Sequence, residues 1–316
     1  MQSVVCEELN FSEKKQFRKT AVLCGTALIL YMALTYLLQI LGSFVLRLCR
    51  IEIPWINRED ANLFVMLFGV CSAFYITFFV VLKNKFSPLF KTGMHIEKGT
   101  GMAIIAALPV MITGCIVSVK LLGVFSKIGD VFGIGYDTNS LFERDYTSVG
   151  KVAELCYACV IAPAVEELIF RGFVLGNLKD YGTRTAIFAS AIIFAIMHGN
   201  FSQMPNAFWA GVVLGTVAVY TRGLIAPVLI HMVYNAIISY ASYINSLYGI
   251  FCYEIMFLFL GVAGAVVLLV NRKKIEAIQN EVPSDVGKLR VFFAAWTVII
   301  FILGNLLGAS LYITLK

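Results

Sequence analysis

Between Val152 and Leu178 the chain reads VAELCYACVIAPAVEELIFRGFVLGNL. The run is long and apolar enough to span a bilayer, which takes roughly 20 residues of helix. Yet Glu154 lies near its start, and Glu166, Glu167 and Arg171 lie close to its middle. A charged side chain at such depth costs about 2.5–3.5 kcal/mol on insertion scales, so two adjacent carboxylates need a reason. Helical geometry separates them. Glu167 and Arg171 stand at i,i+4 with the acid first, the favourable order for an ion pair. Glu166 points about 100° away around the helix and has no partner on it. A carboxylate kept from water with no cation beside it holds a proton more readily, which suits a general base. Pro163 lies one turn earlier and opens the helix locally. Taken alone, the trio is equally consistent with a structural polar cluster that pins helices together.

The rest of the chain fits a membrane setting. Of 316 residues, 59% are hydrophobic and 14% charged, against about a quarter charged in soluble domains; mean hydropathy is +0.84. Nine apolar runs are candidate spans, near 21–46, 62–82, 101–123, 152–178, 184–199, 206–222, 225–246, 250–270 and 291–313. Each must be helical, because lipid offers no partner to backbone polar groups. The expected fold is therefore an all-α polytopic transmembrane helix bundle of about 8–9 spans. Residues 1–150 read as an N-terminal unit of three helices and loops, 150–246 as a helical core that carries the unusual polar residues, and 247–316 as the C-terminal helices.

Lys and Arg concentrate on cytoplasmic loops. A cytoplasmic N-terminus puts Lys14, Lys15, Arg18 and Lys19 inside, with Lys83, Lys85, Lys91, Lys98, Lys179, Arg184, Arg272, Lys273, Lys274, Lys288 and Arg290. The acidic loop 124–150 then falls outside. Loop 47–61, with Arg47, Arg50 and Arg58, fits this less well, and its Pro54 and Trp55 suit a segment lying along the interface. The net charge of +6 thus reflects topology; no basic stripe interleaved with aromatics marks a nucleic-acid surface. The long first apolar run is a retained span, not a signal h-region. Short loops and no organellar presequence fit a bacterial plasma membrane.

The eight cysteines are scattered and imply no disulfide framework. Cys156 and Cys159 spell C-x-x-C, but no second pair completes a metal site; small residues on one helix face are the better reading. Gly211 with Gly215, and Gly304 with Gly308, have the spacing of close helix contacts.

Three histidines occur. His95 lies in a basic loop and reads as solvated. His198 and His231 lie in or at the ends of apolar runs. A lone membrane histidine is commonly a helix–helix hydrogen bonder; two beside an unpaired glutamate read as a site. Runs 152–178 and 184–199 should form a hairpin turning near Tyr181-Gly182-Thr183, and 182 is the midpoint of 166 and 198. Glu166 and His198 then lie at similar depth. Asn235 follows His231 at i+4, on one helix face. The same turn argument leaves His231 nearer the cytoplasmic side than His198.

Three motifs follow one another: Glu166-Glu167-Leu168-Ile169-Phe170-Arg171, Phe194-Ala195-Ile196-Met197-His198, and His231-Met232-Val233-Tyr234-Asn235. In this order they resemble the CPBP family, the CAAX-protease and bacteriocin-processing (Abi) membrane enzymes, over roughly residues 150–245. The resemblance implies an intramembrane endopeptidase acting on a membrane-associated peptide or protein. Glu166 and His198 would activate water, and His231 and Asn235 would polarise the scissile carbonyl and hold the oxyanion. Glu167 and Arg171 would support that geometry. Glu166, His198 and His231 are also the donor types of a His2Glu zinc site. H-E-x-x-H is absent, and a zinc-bound Glu166 would leave the base to be found elsewhere, so a metal-free mechanism is the simpler expectation, with Zn2+ left open. The residues do not choose among prenylated, bacteriocin and other membrane substrates. Two other classes remain: a non-catalytic bacteriocin self-immunity protein, and a proton-coupled transporter, since membrane Glu, His and Arg also build proton relays.

Overall fold

The computed structural model describes residues 11–48, 55–83, 100–136, 145–241, 247–283 and 286–315. Arg50, Pro54 and the whole of residues 84–99, His95 included, lie outside the described residues. The protein is an all-α multi-pass membrane bundle. Among the described residues, four helices are long and apolar enough to cross a membrane: α1 (Phe11–Leu48), α2 (Arg58–Phe74, extended by a π-helical turn to Val81), α3 (Thr100–Val131), and α8 (Leu247–Gln279), whose qualifying part is Phe251–Gln279. A fifth span is counted if α9 (Val286–Phe293) and α10 (Trp296–Ser310), bent by 70°, act as one.

The nine apolar runs exceed this count because the central ones fold as short or interrupted helices. α4 is composite: Ser148–Cys156 is α-helical, Tyr157–Ile161 π-helical, Ala162–Glu167 α-helical and Leu168–Leu175 π-helical, before a short end at Tyr181. α5 (Thr183–Met197) and α7 (Ile225–Ala241) are short apolar helices, and α6 (Met204–Thr221) lies between them. Among the described residues the departure from helix is a small antiparallel pair, β1 (Ile134–Tyr136) with β2 (Ile313–Leu315), which ties the end of α3 to the C-terminal segment.

α4 and α5 form the expected hairpin. Gly182, at φ 143°, makes the turn in a conformation that favours glycine. The Thr183 N–H donates to the Val282 carbonyl, and the Val282 N–H donates back to Thr183 Oγ1, so the hairpin tip is pinned to the segment after α8. The two glycine pairs part company. A Cβ on Gly211 would sit 2.8 Å from Ala191 Cα, so α5 and α6 touch backbone to backbone there. Gly304 and Gly308 face open space, with nothing for an added Cβ to meet. The expectation of a close contact at 304–308 is therefore corrected: that face of α10 is turned outward, where Leu303 and Leu307 are also exposed.

The outer end of α4 is anchored through Asp60, fully buried at the start of α2. Its carboxylate accepts from the backbone N–H groups of Asn57 and Thr147, each at 3.1 Å, and from the Thr147 hydroxyl. One carboxylate thus sits at the N-termini of two helices, where both dipoles favour negative charge.

Candidate active site

Glu167 is the most heavily used acid of the core. Its Oε1 lies 2.8 Å from Arg171 Nη1 and 2.9 Å from His231 Nδ1, and Glu167 and Arg171 are both fully buried. The intrahelical pair is the one that the i,i+4 spacing predicts. The second contact was not legible in spacing: the same oxygen also orients a histidine on another helix. Arg171 donates onward to the Gly211 carbonyl at 3.3 Å and lies over the Phe194 ring at 4.6 Å. A buried ion pair needs such further partners to offset its desolvation.

Glu166 is about one-fifth exposed, and its Oε2 stands 3.8 Å from His231 Nε2. His231 is therefore held between two consecutive carboxylates, one at each ring nitrogen. Glu166 and His198 are not joined by an ion pair among the described residues. His198 caps α5 and places Nδ1 2.9 Å from the Phe194 carbonyl. A carbonyl only accepts, so Nδ1 is the donor in this contact. Phe194 separates the two imidazoles and meets both edge-on, with centroids 4.9 Å from His198 and 5.9 Å from His231. Phe194 was visible as a motif letter, but its place between two histidines was not.

His231 of α7 packs against both acids of α4. Ser239 meets Cys159 at 3.9 Å while His231 meets Glu167, so α7 runs antiparallel along α4. In the link after α6, Arg222 takes the left-handed conformation at φ 47°, and Gly223 and Leu224 follow. Leu224 is buried at 2% exposure. Asn235, one turn from His231, donates Nδ2–H to the Ala158 carbonyl at 2.8 Å.

The segment after His198 is closed on itself by Asn200, which sequence reading did not single out. Its Nδ2 donates to the His198 carbonyl at 2.9 Å and to Gln203 Oε1 at 3.1 Å, while its Oδ1 accepts from Ser202 Oγ and the Gln203 N–H. Among the described residues no group of three or more His, Cys, Asp or Glu side chains is placed to hold a metal ion. Cys156 and Cys159 carry free thiols.

The helical core thus brings His231, Glu166, Glu167 and the buried Arg171 together, with His198 and His231 both in contact with Phe194. Residues 148–237 match the family described as Type II CAAX prenyl endopeptidase Rce1-like. The chain is also 31% identical over 96 residues to the membrane-embedded CAAX protease MroQ of Staphylococcus aureus (strain USA300), a stretch covering 28% of this chain and 39% of that protein. The alignment thus spans well under half of the curated relative. No solved structure matches the chain. Both matches fall on the stretch that carries the three motifs, in line with the resemblance those motifs bear to the CPBP family.

Proposed function

We propose that this protein is an intramembrane endopeptidase that hydrolyses a peptide bond of a membrane-associated protein or peptide. The observation that carries the reading is His231 held at both ring nitrogens, by Glu167 at 2.9 Å and Glu166 at 3.8 Å. Glu167 accepts from Nδ1–H and so fixes the ring with Nε2 toward Glu166 and the site. Arg171 balances Glu167 within the low-dielectric core.

In the proposed reaction Glu166, with the free Nε2 of His198, takes a proton from water as its oxygen attacks the scissile carbonyl carbon. A C–O bond forms, and the negative oxygen is held by His231 Nε2–H and an Asn235 amide N–H. Collapse breaks the C–N bond, and the proton held by Glu166 passes to the departing amine. Each proton is accounted for by residues of this chain. The family resemblance leaves the substrate open between lipid-modified and unmodified membrane peptides.

Replacement of Glu166 by Gln tests the reading. Membranes from cells bearing the wild-type protein should show cleaved N-termini that are absent with Glu166→Gln, at equal protein levels. Loss of a general base lowers rate by about 100- to 10,000-fold. Undiminished cleavage by the variant would remove Glu166 from the chemistry.

A further inference from the structure

The Ala158 carbonyl lies where its own helix cannot satisfy it. Tyr157–Ile161 is π-helical, a register in which each carbonyl accepts from the N–H five residues on. Tyr157 follows the rule, its oxygen taking the Ala162 N–H. The next carbonyl, of Ala158, would need the N–H of residue 163. That residue is proline, which has none. The donor comes from another helix instead, as Asn235 Nδ2–H at 2.8 Å. Prolines are tolerated in membrane helices where a neighbour satisfies the freed backbone group, because lipid cannot.

We infer that Pro163 is a positioning residue of the site: by withholding one N–H it creates the acceptor that seats Asn235. Asn235 has two amide hydrogens. The Ala158 carbonyl takes one and leaves the other for the reacting carbonyl. Because Asn235 and His231 share a face of α7, this contact and the Glu167–His231 bond together fix the rotation of α7 against α4. The inference rests on the role proposed above for Asn235. The plainer alternative is a proline that merely bends α4 and an asparagine that merely joins two helices; in that case the two residues act independently.

A double-mutant cycle on the full chain in detergent distinguishes them, read as the thermal unfolding midpoint. Asn235→Ala should lower the midpoint clearly when residue 163 is proline. The same change should lower it little in the Pro163→Ala background, because the new N–H at 163 supplies the donor for Ala158. Equal losses in both backgrounds would overturn the inference. If Asn235→Ala alone does not fold, folding of the double variant supports the inference, and failure of both variants to fold overturns it. A second readout uses a peptide whose cleavage depends on Glu166. Pro163→Ala alone should lower kcat with KM unchanged, since Asn235 no longer owns its acceptor; an unchanged kcat overturns the positioning role. Cleavage by the double variant reports on the functional reading separately. It should stay lost although the fold is recovered, and cleavage that returned would take Asn235 out of the chemistry whatever the midpoints show.

Discussion

Glu167 and His231, sixty-four positions apart in sequence, share a buried 2.9 Å hydrogen bond through the oxygen that also holds Arg171. One carboxylate therefore balances a cation on its own helix and sets the ring orientation of a histidine on another. The second residue of the Glu-Glu motif is thus tied to two partners, while its neighbour Glu166 is partly exposed and stands 3.8 Å from His231 Nε2.

Glu167→Gln should consequently damage fold and function together. It strips Arg171 of its counter-ion in a fully buried setting, where breaking a pair costs about 3–5 kcal/mol. Thermal unfolding in detergent should show a large drop in midpoint, in contrast to Glu166→Gln, which should leave the midpoint near wild type. Equal midpoints for the two variants would contradict this division of roles.

Gly211→Ala should act at a distance. Its Cβ would meet the Ala191 backbone at 2.8 Å, and overpacking of this kind costs about 1–3 kcal/mol. Separating α5 from α6 also moves the Gly211 carbonyl that holds Arg171. Reduced stability with a matching fall in cleavage is expected, whereas Gly304→Ala and Gly308→Ala, in open space, should change neither.

Cleavage should survive removal of metal ions. The proposed protons move between Glu166, water, His198 and the leaving amine. Dialysis against EDTA or 1,10-phenanthroline, with metal content measured in parallel, should leave the Glu166-dependent rate unchanged. Loss of activity that returned on adding zinc would require a different arrangement of Glu166, His198 and His231.

Arg222→Gly should stabilise the protein slightly. Arg222 holds a left-handed conformation, which costs a non-glycine residue about 1–2 kcal/mol. Its ion pair with Glu281, at 3.7 Å and well exposed, offsets little of that. A small rise in the unfolding midpoint with cleavage intact is the expected result; a fall would show that the Arg222 side chain matters more than its backbone.

What could be read before folding was whatever lies within one helix. The apolar runs determined an all-α membrane protein, because lipid leaves the backbone no other partners. The 3.6-residue period paired Glu167 with Arg171 and set His231 and Asn235 on one face. The Tyr181–Thr183 turn gave the α4–α5 hairpin. Tertiary structure decided what passes between helices. It turned Glu166 toward His231 and gave His198 the Phe194 carbonyl. It set His231 of α7 against Glu167 of α4. One glycine pair was buried and the other left facing outward. The physical reason is that two π-helical segments flank Glu166 and Glu167 and shift the faces on which residues beyond them project. A link of a few residues can likewise change depth by a full turn. Neither is encoded in residue spacing along a single helix; both are settled only when the helices pack.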